Sequence, residues 1–423
     1  MNRLKISGIG LLAGVAVLFS STPVHASGFL LKMNEKNWKV DPETLGWVQE
    51  YEKQFWGNKE VVFPSSLSVS LKNISAPAFI EQRTVSGIDQ KLAEAYLKKK
   101  ITPEFERPNQ DVVIDQNSEG KVIFRGFGLE GRALNWPETL ALLKMALAVS
   151  PNEVHLPIER TPPHVEIKSD ALRQQGIQEL LSTGETNFKN SPDNRVTNIQ
   201  VGLSRFNGIL IPAQTEFIMG NILGKVDETT GYKKELVIKG DKTLPEYGGG
   251  LCQVSTTLYR AALWAGLPVT KRKYHSYAVS YYNPQGLDST IYPPTVDLGF
   301  MNDSPNALLI QTMTTEKGEA YVNFYGTEDG RRVTLMGPRY YKYMNIPPPR
   351  TEYSEQLALG ETKKVGEPHQ GFQASWFREV AYGDSRKKPL KEHIYSNYEP
   401  RPLYYLIGKE PEKLAKKANG DLP

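Results

Sequence analysis

The chain has 423 residues, 39% of them hydrophobic, and its 51 Lys and Arg residues nearly balance its 47 Asp and Glu residues, for a net charge of +4. This near-balance gives no reason to expect a nucleic-acid partner, because nucleic-acid-binding surfaces are usually strongly basic. The one cysteine, Cys252, cannot form an intrachain disulfide, and one Cys with six scattered His residues shows no metal-ligand spacing. We therefore expect apolar cores to stabilise the protein, and we expect no metal and no cofactor.

The first 26 residues have the pattern of a secretory signal peptide. A basic pair, Arg3 and Lys5, precedes an apolar run over residues 6–19, and Val-His-Ala at 24–26 is a small-x-small cleavage pattern. The run is shorter than the roughly 20 residues of a membrane-spanning helix, and no cysteine near the cleavage site offers a lipid anchor. The sequence predicts a secreted protein, in the cell wall or at the extracellular face of the cytoplasmic membrane, which contacts the membrane only if the signal peptide is retained.

Cleavage leaves about 397 residues, more than one typical domain of roughly 100–200 residues. Residues 27–60 form an N-terminal segment, in which a helix is predicted to begin at Asp41 with Pro42 as its first residue. Residues 61–164 have the mixed pattern of a small α+β domain. Its predicted strands lie at 67–71, 112–114 and 122–124, and its predicted helices at 88–97 and 137–148.

Residues 165–327 form a central domain, whose main predicted helix begins at Cys252. Apolar residues recur after Cys252 at helical spacing, and Gly266 occupies a C-cap position. A shorter helix at 171–181 and a polar loop at 182–190 are predicted before it. The predicted strands lie at 217–219, 269–272, 275–282, 290–292, 307–313 and 320–325.

The C-terminal part begins after Ile-Pro-Pro-Pro-Arg at 346–350, a stiff joint. Residues 346–408 have the pattern of a small all-β module, with hairpin arms at 372–382 and 393–398, and residues 409–423 form a charged tail. The predicted fold class is α+β, with several domains and a small all-β C-terminal module.

The candidate chemistry is centred on Cys252, because a cysteine nucleophile needs a lowered pKa, a nearby base and room for a carbonyl. A helix that begins at Cys252 places the positive end of its dipole at the thiol. His275 follows 23 residues later, far enough for a helix and a return, and Asp288 after the next turn is placed to orient the imidazole. This order of Cys, His and a polar residue is that of papain-like and transglutaminase-like enzymes, so we expect a central α+β domain of that kind.

Five further residues are candidates for binding the substrate. Gly249 and Gly250 let the backbone approach closely and offer free amides to an oxyanion. Tyr247, Gln253 and Ser276 are polar neighbours of the proposed nucleophile and base, and Gln253 is able to donate an amide proton.

Each of these residues also has a structural interpretation. Cys252 fits a small buried hydrophobe, and His275 a hydrogen-bonded surface histidine. Asp288 fits turn chemistry, and the glycine run fits a flexible hinge. Their joint order favours catalysis. The expected compartment favours it as well, because an unpaired thiol in an oxidising environment is open to oxidation and is a liability unless it is used.

Several segments resemble the VanW family over residues 176–326. The resemblance is carried by Gly-Gly-Gly-Leu-Cys-Gln-Val-Ser at 248–255, His-Ser-Tyr-Ala-Val-Ser-Tyr at 275–281, Gly-Leu-Asp-Ser-Thr at 286–290 and Asn-Arg-Val-Thr-Asn-Ile at 194–199. The region that ends in Val-His-Leu-Pro at 154–157 resembles the peptidoglycan-binding domain that often precedes VanW domains, and residues 346–408 resemble a G-five module. Leu287 departs from the charged residue that many relatives carry before the aspartate.

The resemblance implies peptidoglycan as the partner. Some VanW-domain proteins are regarded as L,D-transpeptidases, which implies that Cys252 attacks a stem-peptide carbonyl, forms a thioester and passes the acyl group to an amine of a second stem. With water as the acceptor, the same chemistry makes a carboxypeptidase or an amidase. The alternative is a non-catalytic peptidoglycan-binding accessory protein, linked to glycopeptide resistance or wall assembly, whose central domain is a scaffold.

Overall fold

The computed structural model describes residues 28–33, 36–56, 59–60, 80–149, 151–239, 242–354 and 357–408. The predicted signal peptide, the strand at 67–71 and the charged tail lie outside these residues. The described part is mixed α+β with more strand than helix. The chain divides into two compact units, the first at 1–108 and 132–160 and the second at 109–131 and 161–423.

Among the described residues, ten strands and two helices lie before residue 162. In chain order they are β1 (Phe29–Met33), β2 (Lys36–Val40), β3 (Val48–Trp56), β4 (Lys59–Glu60), β5 (Ile80–Ile88), α1 (Gln90–Lys100), β6 (Gln110–Gln116), β7 (Val122–Leu129), β8 (Gly131–Leu134), α2 (Trp136–Val149), β9 (Glu153–His155) and β10 (Ile158–Thr161).

From residue 165 to residue 326, the described residues form ten strands and four helices. They are β11 (Val165–Ile167), α3 (Asp170–Gln174), β12 (Glu179–Asn187), α4 (Asp193–Ser204), β13 (Leu210–Ile211), β14 (Thr215–Ile218), α5 (Met219–Leu223), β15 (Lys234–Lys239), β16 (Lys242–Tyr247), α6 (Leu251–Trp264), β17 (Val269–Lys271), β18 (Gly299–Asn302), β19 (Leu308–Thr314) and β20 (Glu319–Gly326).

Beyond residue 331, the described part of the chain has six strands, which form the C-terminal sheets. They are β21 (Arg332–Met344), β22 (Arg350–Ser354), β23 (Thr362–Val365), β24 (Gly371–Ala381), β25 (Leu390–Tyr398) and β26 (Tyr404–Gly408). Short 3-10 helices lie at Thr102–Glu104, Glu228–Thr230 and Ser280–Tyr282.

The first unit packs α1 and α2 with a sheet of order β2-β1-β9. Helix α1 confirms the prediction at 88–97, and its N-cap Asp89 accepts from the amide of Leu92. The predicted helix at Asp41 is wrong. Asp41 caps only one turn, which ends at Gly46 with a φ of +70°, and the chain then enters β3, which pairs antiparallel with β5. The aromatic and charged residues after Gly46 find cross-strand partners there, and tertiary pairing therefore overrides the local capping signal.

The hairpin of β6 and β7 confirms the predicted strand pair at 112–114 and 122–124. It belongs to the second compact unit, although the sequence grouped it with residues 61–164. The amide of Gly128 donates to the hydroxyl of Tyr325 at 3.2 Å, and the side chain of Gln311 donates to Gly126 O at 2.9 Å. The hairpin therefore packs on strands β19 and β20.

The centre of the second unit is helix α6, which packs on an antiparallel sheet of order β12-β20-β19-β13. Gly184 of β12 allows this close approach, because a Cβ there would lie 2.0 Å from Thr257 O. Twelve of the fourteen residues of α6 are buried, which makes it the core of the domain. The predicted start at Cys252 and the C-cap at Gly266 are confirmed within one residue.

Two predictions before α6 are wrong. The helix expected at 171–181 ends at Gln174, and the polar loop expected at 182–190 is largely the strand β12. Ser182 and Thr186 of β12 are not solvent-facing loop groups, because both are buried and hydrogen-bonded to α6. Ser182 Oγ donates to Ala261 O at 2.9 Å. Hydroxyl side chains that have hydrogen-bond partners can be buried, and this strand therefore has the polar sequence that is typical of a loop.

The segments at 275–282 and 290–292 are not strands as predicted. Residues 275–289 form an ordered loop that contains the 3-10 helix at Ser280–Tyr282, and near 290–292 there is only an isolated bridge between Tyr292 and Val296. The carbonyls of Tyr282, Leu287 and Ser289 in this loop accept hydrogen bonds from side chains of α6, where the carbonyls of a strand would accept them from the backbone of a neighbouring strand. The aromatic and β-branched composition therefore reflects burial and not sheet pairing.

The predicted C-terminal hairpin is confirmed as β24 and β25. Its sheet also contains β21, which lies before the predicted module at 346–408. The buried guanidinium of Arg378 donates to Leu263 O at 3.1 Å and Leu267 O at 2.9 Å, at the carboxyl end of α6. The C-terminal sheet and the central domain therefore pack as one unit.

Candidate functional site

Cys252 is the second residue of α6, at the end of the helix with a partial positive charge. Gly250, the N-cap, has a φ of +117°, which favours glycine. The amides of Leu251 and Gln253 donate to Gly248 O at 3.0 Å and to Gly250 O at 2.9 Å. The amide of Cys252 between them donates to no acceptor in the described part of the chain. The thiol thus lies at a helix start, next to a backbone N–H group that has no acceptor among the described residues.

Gly249 lets the start of α6 approach the hairpin of β15 and β16. A Cβ on Gly249 would lie 2.8 Å from both the carbonyl carbon of Glu235 and Leu236 O. The buried side chain of Asn198 in α4 donates to Gly249 O at 2.9 Å and to Lys233 O at 3.0 Å. The glycine run is therefore a packed and hydrogen-bonded turn, which orients the thiol.

His275 and Asp288 form a buried pair, with 2% and 1% of their side chains exposed. The imidazole Nδ1 donates to Asp288 Oδ2 at 2.6 Å, and the His275 amide donates to the same oxygen at 2.8 Å. The Tyr282 ring stacks on the imidazole, with centroids 4.6 Å apart. Nε2 is buried and makes no hydrogen bond within the described residues. Nδ1 is thus fixed as the donor, and Nε2 is left to exchange a proton.

The other oxygen of Asp288 is held by two donors. The Tyr398 hydroxyl donates to Oδ1 at 2.5 Å, and Arg272 Nη2 lies 3.4 Å from it. Arg272 Nε also donates to the backbone oxygen of Asp288 at 2.8 Å. Burial opposes ionisation of Asp288, but the contacts with His275, Arg272 and Tyr398 outweigh it and hold the pKa of the carboxyl far below its usual range. Asp288 is therefore an anion at neutral pH.

The thiol and the imidazole favour each other's charged forms. Burial raises the pKa of Cys252, but the His275 side chain and the positive charge of Arg195 outweigh it, and the net result is a lowered thiol pKa. Burial also disfavours imidazolium, but Asp288 and Cys252 outweigh it and raise the pKa of His275 to about 9. These opposite shifts favour a thiolate–imidazolium pair at neutral pH.

Helix α6 itself holds the loop that carries the pair. Thr256 accepts from the amide of Ser289 at 3.0 Å and donates to its carbonyl at 3.2 Å. Arg260 donates to Leu287 O at 3.2 Å and to Tyr282 O at 2.6 Å. Positions 252, 256 and 260 are four residues apart and share one helix face. The face that carries the thiol thus also positions the His and Asp loop.

Gln253, a predicted substrate ligand, is fully buried and already paired. Its amide donates to Asn187 O at 3.2 Å, and its carbonyl accepts from Arg195 Nη2 at 3.0 Å. The Arg195 guanidinium lies over the Tyr281 ring, 4.3 Å from the centroid, and its Nη1 is buried without a hydrogen-bond partner among the described residues. Gln253 therefore positions Arg195, whose charge lowers the pKa of Cys252.

The remaining predicted ligands differ in their surroundings. The Tyr247 hydroxyl donates to Glu228 at 3.3 Å, at the rim of the hairpin that precedes α6. Ser276 is exposed next to the catalytic candidate His275, and its carbonyl accepts from the amide of Glu399 at 2.7 Å. The structure therefore joins Cys252, His275 and Asp288 in one constellation, and it places Gly249, Gly250 and Gln253 in the framework of the thiol.

Three residues of the site were missed by sequence reasoning. Arg195 lies in the Asn-Arg-Val-Thr-Asn-Ile segment that carries part of the VanW resemblance, so an isolated basic residue in that segment was an available signal. Arg272 and Tyr398 carry no local signal, because only the packing of β25 against the loop brings them to Asp288.

The described residues contain no group of three or more His, Cys, Asp or Glu side chains arranged to hold a metal ion. Every helix in the described part of the chain is too short or too polar to cross a membrane.

The VanW like protein family model matches residues 194–325, a segment that contains all three members of the constellation. The uncharacterized protein YoaR of Bacillus subtilis (strain 168) is 30% identical over 162 residues, which cover 38% of this chain and 52% of that protein. The vancomycin B-type resistance protein VanW of Enterococcus faecalis (strain ATCC 700802 / V583) is 29% identical over 117 residues, or 26% of this chain and 42% of that protein. The chain thus spans about half the length of these curated relatives.

Among solved structures, the IgA1 protease G5 domain is 15% identical, and the match covers 20% of this chain and 100% of that domain. Its TM-score of 0.12 is too low to support an argument about fold. The family match covers the segment that holds Cys252, and this chain therefore carries a VanW-like domain over residues 194–325.

Proposed function

We propose that this protein is an exported cell-wall protein that modifies peptidoglycan stem peptides by L,D-transpeptidase-like acyl transfer, with Cys252 as the nucleophile. One observation carries the proposal. The only cysteine of the chain lies at a helix start beside a buried His275–Asp288 pair, and the His275 side chain lowers the pKa of the thiol. A scaffold has no use for this arrangement, whereas acyl transfer requires it.

In the first step the thiolate of Cys252 attacks the carbonyl carbon of a stem-peptide amide, and the C=O electron pair moves onto oxygen. The uncommitted amide of Cys252 is placed to stabilise that oxyanion. Collapse of the tetrahedral intermediate breaks the C–N bond. The imidazolium of His275 gives its Nε2 proton to the departing amine, and the acyl group remains as a thioester on Cys252.

In the second step an amine from another stem attacks the thioester. His275, now neutral, accepts a proton from that amine, the C–S bond breaks, and the thiolate–imidazolium pair is restored. Asp288 keeps Nδ1 protonated throughout, so Nε2 alone exchanges protons. With water in place of the amine the same steps give a hydrolase, a carboxypeptidase or an amidase.

Peptidoglycan as the substrate is supported by the VanW-like domain, since one relative is a vancomycin B-type resistance protein and that antibiotic acts on the cell wall. The signal-peptide pattern at residues 1–26 supports export to the compartment where this substrate lies. We assign wall binding to residues 61–164 and to the G-five-like residues 346–408.

The test is muropeptide analysis of purified sacculi incubated with the wild-type protein and with Cys252→Ala. New cross-links, or shortened stems, should be formed by the wild type alone. His275→Ala should lack turnover while its circular dichroism spectrum is retained. Identical muropeptides with wild type and Cys252→Ala would refute the enzymatic function and would leave a non-catalytic peptidoglycan-binding protein, whose retention on sacculi by both forms is measured in the same samples.

A further inference from the structure

We propose that Tyr398 is a positioning residue of the acyl-transfer site, and that the C-terminal sheet completes this site rather than serving only to bind the wall. This inference rests on the proposed function of Cys252. Its basis is that the Tyr398 hydroxyl donates to Asp288 Oδ1 at 2.5 Å, opposite the oxygen that binds His275. Tyr398 is fully buried, and its hydroxyl also accepts from the amide of Gly286 at 2.7 Å.

The same strand, β25, holds the second donor of Asp288. Arg272 Nη1 donates to Tyr395 O at 2.9 Å, and Nη2 donates to Ser396 Oγ at 2.8 Å. The two acceptors of Arg272 on this strand and the Tyr398 hydroxyl therefore come from four consecutive residues, 395–398, of the C-terminal sheet. Strand β25 therefore positions both donors of Asp288 Oδ1, the neutral hydroxyl of Tyr398 and the charged guanidinium of Arg272.

Two further contacts join the C-terminal sheet to the loop that carries His275. Trp376 Nε1 donates to Gln285 O at 2.9 Å, and the amide of Glu399 donates to Ser276 O at 2.7 Å. The loop is thus hydrogen-bonded both to α6 and to the C-terminal sheet. Displacement of that sheet would move the base as well as its orienting carboxylate.

The chemistry explains why a hydroxyl is needed. A carboxylate that is 1% exposed keeps its charge only if donors replace the water it has lost, and a hydrogen bond to a charged group is stronger than a neutral one. Burial and the neighbouring Asp288 raise the pKa of Tyr398, so its hydroxyl stays protonated and remains a donor. Without that donor the Asp288 anion is less stable, and so is the imidazolium that faces Cys252.

The experiment measures the rate of Cys252 alkylation by iodoacetamide from pH 5 to pH 10 in Tyr398→Phe. Cys252 is the only cysteine, so the rate reports this thiol without any substrate. We expect the midpoint of the profile to rise by about one pH unit, which corresponds to about 1.4 kcal/mol. The matched control is Tyr343→Phe on β21 of the same sheet, because Tyr343 is exposed and the profile of this variant should equal that of the wild type.

An unchanged midpoint in a folded Tyr398→Phe protein would overturn the proposal. If that variant does not fold, Ser396→Ala decides, because it removes one acceptor of Arg272 and should raise the midpoint by a smaller amount; no rise there overturns the proposal as well. The alkylation readout needs no peptidoglycan. If the midpoint rises as expected in Tyr398→Phe but the wild-type protein does not change the muropeptides of sacculi, the result counts against the proposed function alone. If the wild-type protein changes the muropeptides but the midpoint of Tyr398→Phe equals that of the wild type, the result counts against the role of Tyr398 alone.

Discussion

His275→Asn should remove the stabilisation of the Cys252 thiolate while leaving the fold intact. An Asn amide occupies the place of the imidazole Nδ1, so it can still donate to Asp288 Oδ2, which now accepts at 2.6 Å. Asn carries no charge and has no atom at the Nε2 position. The variant therefore separates the structural hydrogen bond of His275 from its charge and from its proton transfer.

The size of the effect follows from the thiolate fraction. A thiol with an ordinary pKa of about 8.5 is only about 3% ionised at pH 7. The lowered pKa of Cys252 and the pKa of about 9 for His275 raise the thiolate fraction of the wild type at pH 7 above that value of about 3%. The alkylation rate at pH 7 should therefore fall, by up to roughly thirtyfold or about 2 kcal/mol, and the difference should shrink at pH values well above about 8.5, where the thiol of the variant ionises as well.

The assay is iodoacetamide alkylation followed by intact mass spectrometry, with unfolding in urea as the test of structure. His164→Asn is the matched control, because His164 is an exposed histidine of the same compact unit and should leave the profile unchanged. A wild-type rate and midpoint in His275→Asn would show that helix α6 and Arg195 suffice to ionise the thiol, and would refute the role of His275.

Three other outcomes are expected. Arg195→Gln should raise the alkylation midpoint by less than His275→Asn does, because Arg195 is a weaker cause of the lowered thiol pKa; a midpoint at the wild-type value would contradict this. Gly184→Ala should destabilise the protein by about 1–3 kcal/mol in urea unfolding, since the added Cβ would lie 2.0 Å from Thr257 O; wild-type stability would mean that β12 moves freely. Asp288 has a lowered pKa, so its stabilisation is present above its unfolded pKa of about 3.9 and is lost as the pH falls below it. Wild-type stability should therefore fall more steeply than that of Asp288→Asn between about pH 4 and pH 2, and parallel curves would argue against the charged pair.

Elements with a strong local pattern were predictable. Helix α6, strands β19 and β20, and the hairpin of β24 and β25 follow from apolar periodicity and turn residues close in sequence. The helix predicted at Asp41 and the strands predicted at 275–282 and 290–292 failed for another reason. Their conformations depend on partners distant in sequence: β5 for the first, and the side chains of Thr256 and Arg260 for the loop.

The sequence by itself determined the candidate nucleophile, its helix, and the order of Cys252, His275 and Asp288, because each lies in a segment whose local pattern is informative. Only the tertiary structure decided that Asp288 is held from β25 and that Arg195 lies near the thiol. Tyr398 follows Cys252 by a long stretch of chain, and no periodicity or motif specifies that contact. Side-chain hydrogen bonds between distant segments are set by packing, so they are visible only in the folded protein.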